Sequence, residues 1–359
     1  MTKRLLPLNG LAALMVVLNH SASYGLNALF FWTDRYRQVS VPNFDQFGSP
    51  AYYALFFIHE LAEFAIPAFL FVSGFFIAFA ARTEQGELKW EFILSRIKRL
   101  ILPFLLWSVM IAVLLQRLPP TFRQVMTIYY YVPLIIQYYL LSPLLIPLAR
   151  KNTQLFLLGA AVIQLGLESL RLFALLGINF PGMRLLIEVT PIYFFPGRIF
   201  YFSIGLVAGL HLESFGHWLT RARWMLLMIS GSLLLLSMAE YEYLAAILDR
   251  KWLVPEYSGI FRALFAVAFT LSLVSFDKLP LSFSAKLSRL GSKSLGIYFI
   301  NTPALYVVGL LLYHFLPGIL GIPVVYQAIL IAFGLGIPLL IMEILKKFPD
   351  KRIYHLAFG

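Results

Sequence analysis

The first residue in this chain equipped for chemistry is His20. It follows the apolar run Leu11-Ala12-Ala13-Leu14-Met15-Val16-Val17-Leu18. Imidazole is the side chain best suited to general-base work near neutral pH. If the run is helical, sixteen residues past Arg4 place His20 roughly 24 Å along the axis. That is the outer half of a bilayer, where a polar group is a functional candidate by default. The same position also suits an interfacial histidine bonded to a neighbouring carbonyl.

A second group is cationic. Arg96, Lys98 and Arg99 sit at the head of the apolar run from Leu100. Guanidinium groups grip phosphate with two parallel hydrogen bonds. The same cluster would also serve as a topology signal in contact with anionic headgroups. Ser73-Gly74 lies inside the apolar stretch Ile66–Phe75. No G-x-S-x-G surrounds it, so it reads as a close-packing point rather than a nucleophile elbow. His59-Glu60-Leu61-Ala62-Glu63 has Glu where a zincin needs its second His, so it binds no zinc. No metal site is expected elsewhere. His59 and Glu63 remain an i,i+4 pair, and Glu168 and Arg171 an i,i+3 pair. Arg198 and Arg262 fall near the outer ends of their runs, where each could bind substrate or snorkel. Gln137 and Asn301 suit interhelical hydrogen bonds.

The elements that must position these groups are membrane helices. The chain has 359 residues, 60% hydrophobic and 13% charged, with a mean hydropathy of +0.81. Soluble domains carry about 25% charged residues. The fold class is therefore all-α, a polytopic helix bundle of about ten spans. The spans lie near 5–26, 60–81, 99–116, 128–148, 155–174, 194–212, 224–241, 257–276, 293–314 and 323–345. Residues 51–59 read as an interfacial turn or an extension of the second span. The segment 176–193 has room for a short re-entrant piece. Residues 1–359 form a single domain with no separate soluble part.

Charge orients the bundle. With the N-terminus inside, nineteen of the 29 Lys and Arg fall on the inner side against seven acids, and ten fall outside against ten. The whole net charge of +12 is then internal, as the positive-inside rule requires. Both termini are expected in the cytoplasm, with the protein in the cell inner (plasma) membrane. Clusters spread between apolar runs do not make a nucleic-acid surface. Met1-Thr2-Lys3-Arg4 and the run after it resemble a signal peptide, but no small-residue cleavage site follows, so it reads as a retained first helix. The absence of cysteine excludes disulfides, thiolate metal sites and acyl-cysteine chemistry. No internal repeat stands out, which weighs against a transporter.

Five segments in order resemble the membrane acyltransferase family 3, the O-acetyltransferase-like proteins of surface polysaccharide modification. Leu8-Asn9-Gly10-Leu11-Ala12-Ala13-Leu14 through His20 is similar to the family's L-R-G-L-A-A-L-x-V-V-x-x-H. Pro67 to Phe75 is similar to P-x-F-F-x-x-S-G-F, and Arg96 through Trp107 to R-x-K-R-L-x-x-P-[FY]-x-x-W. Tyr131 to Leu144 resembles the aromatic fourth span, and Ser294 to Pro303 resembles S-x-G-I-Y-L-x-H-x-P. Two positions depart from the pattern. Asn9 replaces the family's Arg eleven residues before the His, and Asn301 replaces a common His. Arg4, Arg96 or Arg99 could stand in for the lost cation.

The resemblance implies an enzyme that moves an acyl group, most simply acetyl from acetyl-CoA, to a hydroxyl of a surface glycan or lipid-linked sugar. It implies His20 as the catalytic base or acyl carrier. Arg96, Arg99 and Asn9 would lie at the acyl-CoA donor, and Ser73, Tyr298, Asn301 and Arg198 along a passage for substrate. The alternative is a translocator that carries a glycan or lipid-linked intermediate across the bilayer without chemistry. The loss of Arg at position 9 favours it.

Overall fold

A computed structural model describes residues 2–32, 43–83, 88–115, 121–249, 259–276 and 284–359. Between the expected spans, residues 33–42, 84–87 and 277–283, with Lys278, lie outside the described residues, as does the side chain of Lys3. The described chain is helical throughout. In order the helices are α1 Thr2–Phe30, α2 Pro50–Ala62, α3 Ala65–Thr83, α4 Trp90–Leu114 and α5 Phe122–Ile128. Then come α6 Tyr131–Lys151, α7 Thr153–Leu175, α8 Met183–Val189, α9 Ile199–Leu210 and α10 Leu212–Ile247. The last five are α11 Ile260–Ser275, α12 Ser284–Gly291, α13 Ser294–Phe315, α14 Pro323–Lys346 and α15 Lys351–Phe358.

Eight segments among the described residues are long and apolar enough to cross a membrane. The other two expected spans correspond to shorter apolar helices, Phe195–Leu210 and Ile260–Ser275. At 1.5 Å per residue each of these reaches only about 24 Å, less than a hydrocarbon core of about 30 Å. The first is apolar on every side because it is a central helix: α9 buries every residue from Ile199 to Gly209 except Phe200. The expected second span begins earlier than residue 60. Residues 50–62 form a helix capped by Ser49, whose Oγ accepts from the Tyr52 amide at 3.2 Å. The helix breaks at Glu63 and Phe64 because Pro67 has no N–H for the Glu63 carbonyl and its ring would clash there. The cations Arg96, Lys98 and Arg99 stand inside α4 rather than before it. α10 is twice the expected length and runs through Arg221 and Arg223. The segment after 176 contains the short helix α8.

Ser73-Gly74 is the close-packing point its sequence suggested. α3 and α9 run parallel with their backbones in contact. A Cβ on Gly74 would come within 2.3 Å of the Phe202 carbonyl oxygen, and one on Gly205 within 2.1 Å of Phe71 O. Gly205 and Gly209 form a G-x-x-x-G pair on the approaching face, as membrane helices use for close contact. Gly205→Val should therefore separate the pair. A loss of about 3 kcal/mol is expected for such overpacking, read as a lower unfolding midpoint of the detergent-solubilised protein. Gly336→Ala, where a Cβ meets nothing within 4 Å, should leave the midpoint unchanged.

Candidate active site

A cavity of about 310 Å³ lies between α1, α3, α4, α6 and α13. This is the usual size of a small-molecule site. Its polar lining is Asn9, Ser73, Arg96, Tyr131, Tyr139, Ser294 and Tyr298. Four of the residues singled out from sequence, on four helices, thus line one cavity. Asn9 is placed there by a backbone crossing. A Cβ on Gly10 would overlap the Leu287 carbonyl, and one on Gly291 the Leu6 carbonyl, so only glycines let α1 and α12 press together. The Asn9 Oδ1 is buried and has no hydrogen-bond partner among the described residues. Such an orphan acceptor is costly and suits a bound N–H donor. Arg96 is exposed at the rim, with its guanidinium carbon 5.1 Å from the Phe92 ring centroid. Arg99 is exposed on the same helix but does not line the cavity.

His20, Asn301 and Arg198 lie beyond this cavity. Tyr131 and Tyr298 line it with their rings in contact, centroids 5.7 Å apart. The Tyr131 amide donates to the Tyr298 hydroxyl at 3.3 Å, and Ser73 Oγ lies 3.3 Å from the Tyr131 hydroxyl. Asn301 is one turn further along α13. Its amide group donates to Ile297 O at 3.1 Å and Tyr298 O at 3.2 Å. Both carbonyls accept, so the amide nitrogen faces them and Oδ1 faces away. That oxygen meets His20 Nδ1 at 2.7 Å. Oδ1 can only accept, so Nδ1 carries the proton and donates. The neutral ring then keeps its lone pair on Nε2. Thr302 Oγ1 lies 3.4 Å from the same Nδ1. The imidazole therefore faces the bundle, with the Nε2 lone pair available to accept a proton.

A polar cluster surrounds this ring. Asn19 donates to Glu63 Oε1 at 3.1 Å and to His59 O at 3.3 Å. His59 Nε2 is 3.8 Å from Glu63 Oε1, which makes the expected i,i+4 pair. Glu63 acts electrostatically on His20, Tyr130, Arg198 and Tyr201. Arg171 donates to Glu168 at 3.2 Å, as the i,i+3 spacing predicts. Gln137 ties α6 to the turn before α9 through Tyr193 O at 2.6 Å and the Phe195 amide at 3.2 Å.

Sequence reasoning passed over Asn19, Tyr131, Tyr139, Ser294 and Glu60. Ser294 opens a motif already quoted, and Glu60 is a carboxylate inside an apolar run, so both carried a signal. Glu60 is the buried partner of Arg262, which makes Arg262 an ion-pair residue rather than a snorkelling one. Tyr131 and Tyr139 stand in the quoted aromatic fourth-span segment, but nothing there sets them apart from its other aromatic residues.

No curated protein matches the chain, and no solved structure does. A family model described as an acyltransferase domain matches residues 8–343. That match takes in α1 to nearly the end of α14, with both the cavity and His20 inside it. The chain belongs to acyltransferase family 3, membrane transferases that move acyl groups other than aminoacyl groups.

Proposed function

We propose that the protein transfers an acyl group, most simply acetyl, from acyl-CoA to a hydroxyl of a surface glycan or lipid-linked sugar. The observation that carries this reading is the Asn301-oriented His20, one helical turn beyond a cavity lined by Arg96 and Asn9. The bundle crosses the cell inner membrane ten times, counting the two short helices, with both termini in the cytoplasm.

The donor enters from the cationic face. Arg96 holds its phosphates, with Arg99 further along α4 on the same approach, and the pantetheine arm offers an amide N–H to Asn9 Oδ1. From Asn9 to His20 is eleven residues, about 16 Å of helix. Tyr131, Tyr298 and Ser73 line the way. His20 Nε2 removes the proton from the acceptor hydroxyl. The oxygen attacks the thioester carbonyl, the C–S bond breaks, and the CoA thiolate leaves with the proton His20 has taken. Protein and lipid walls keep water from the thioester.

Membranes holding the protein, given acetyl-CoA labelled in the acetyl group, should pass label to a membrane or glycan fraction in a protein-dependent way. Movement of glycan or lipid-linked sugar without any dependence on acyl-CoA would replace this reading with translocation.

A further inference from the structure

Arg198 is a cation without an ion-pair partner among the described residues. It caps the start of α9, and its guanidinium carbon lies 5.4 Å from the Tyr130 ring centroid. Among the described residues it makes no hydrogen bond and no ion pair. Two other arginines read as outer, Arg171 and Arg262, are engaged. Arg171 donates to Glu168 and to Thr190 O at 2.7 Å, and Arg262 donates to Glu60. The carboxylates that act on Arg198, Glu168 and Glu63, are held by other donors.

A snorkelling arginine sends its head to the interface. Arg198 instead turns onto Tyr130 and lies within the field of Glu63, the carboxylate that also acts on His20. A charged group in the bundle with five N–H donors and no acceptor is costly to keep. Its planar fork fits a carboxylate or phosphate. The N-terminus of α9 adds positive potential at the same point. The side chain is only half-buried, so a ligand can reach it.

We propose that Arg198 binds an oxyanion, phosphate or carboxylate, carried by the acceptor, so that the acceptor is an acidic sugar or a phosphate-linked lipid sugar. The word acceptor rests on the acyl-transfer reading; the oxyanion site does not. Arg198 holds the charge while the hydroxyl reaches His20, both groups being ones on which Glu63 acts.

The test is a binding titration followed by thermal unfolding of the full chain in phosphatidylcholine nanodiscs. The probes are geranyl diphosphate, glucuronic acid and neutral methyl glucoside. At least one anionic probe should bind, and methyl glucoside should not. Arg198→Gln should weaken anionic binding about tenfold or more, with its unliganded midpoint reporting that it folds. Arg198→Lys keeps the charge without the fork and should bind a few-fold more weakly than wild type. If the Gln variant does not fold, the Lys variant decides. Equal binding by the variants and wild type, no binding of either anion, or equal binding of methyl glucoside would overturn the site. Arg198-dependent displacement of the probes by phosphatidylglycerol would give the site to a headgroup and overturn the acceptor assignment. His20→Ala should bind the anions as wild type does. If binding persists while wild-type membranes transfer no acyl group, the acyl-transfer reading falls and the oxyanion site stands.

Discussion

His20→Ala should lower acyl transfer about a thousandfold or more while leaving expression, membrane insertion and the unfolding midpoint near wild type. The size follows from removing the group that takes the hydroxyl proton, a role worth about 10²–10⁴ in rate. The sparing of stability follows from the environment, because His20 is only half-buried and its nearer partner, Asn301, keeps two carbonyl contacts without it. Asn301 gives the finer test. Asn301→Leu removes the acceptor that holds the proton on Nδ1, so the ring can present Nε2–H to the substrate. A loss of about one to two orders of magnitude in kcat is expected, with donor KM little changed. Asn301→Asp restores an acceptor at Oδ1 and should recover most of that loss. Radiolabel transfer in membranes with matched protein levels reads all three. Wild-type rates in the alanine variant would remove His20 from the reaction.

The lower half of this arrangement was legible from the residues. Asn9, Ser73, Arg96 and Tyr298 sit in four separated motifs, yet all four line one cavity. They were legible because each lies at a fixed place on a long apolar helix, and such helices pack side by side with little freedom. Asn301 departs from the family pattern and suits an interhelical hydrogen bond, which it makes to His20. The geometry gives it a use, since a carboxamide whose nitrogen is spent on Ile297 and Tyr298 becomes a pure acceptor for the imidazole. No spacing in the sequence carries that information.

The outer half was legible only within single helices. His59 and Glu63 were paired by their i,i+4 spacing, but their link to Asn19 spans 44 positions from Asn19 to Glu63. Helix lengths were hidden for a different reason. Hydropathy marks where lipid contact ends, whereas α10 continues as a helix through Arg221 and Arg223 because nothing in its sequence breaks it. Conversely, α9 and α11 are as apolar as any span but short, and the surroundings that shield α9 come from distant segments.

The largest effect on folding should come from Glu60. Its carboxylate is fully buried, and it accepts from Arg262 Nε at 3.1 Å and Nη2, and from Ser237 Oγ at 2.7 Å. The partners come from α2, α10 and α11, so one carboxylate fastens three helices. Taking two charges out of water is costly, and the pair need not be a net gain over apolar packing. Removing one partner is another matter, because the buried charge that remains loses the opposite charge that offsets its desolvation. Glu60→Ala or Arg262→Leu should each cost about 3–5 kcal/mol. Either variant should yield little monodisperse protein on size exclusion in mild detergent. The double variant Glu60→Leu with Arg262→Leu leaves no stranded charge, and Ser237 can turn its hydroxyl to a carbonyl of its own helix. It should regain most of the lost yield and thermal midpoint. It should not regain full activity, because Glu60 also lies 3.7 Å from His59 Nδ1 and so helps fix the loop-side cluster that reaches His20 through Asn19. If the single variants are as stable as wild type, the three helices are held by packing alone and the ion pair has no structural role. If the double variant is as unstable as the singles, the charges themselves, rather than the avoidance of an unpaired one, hold the helices together.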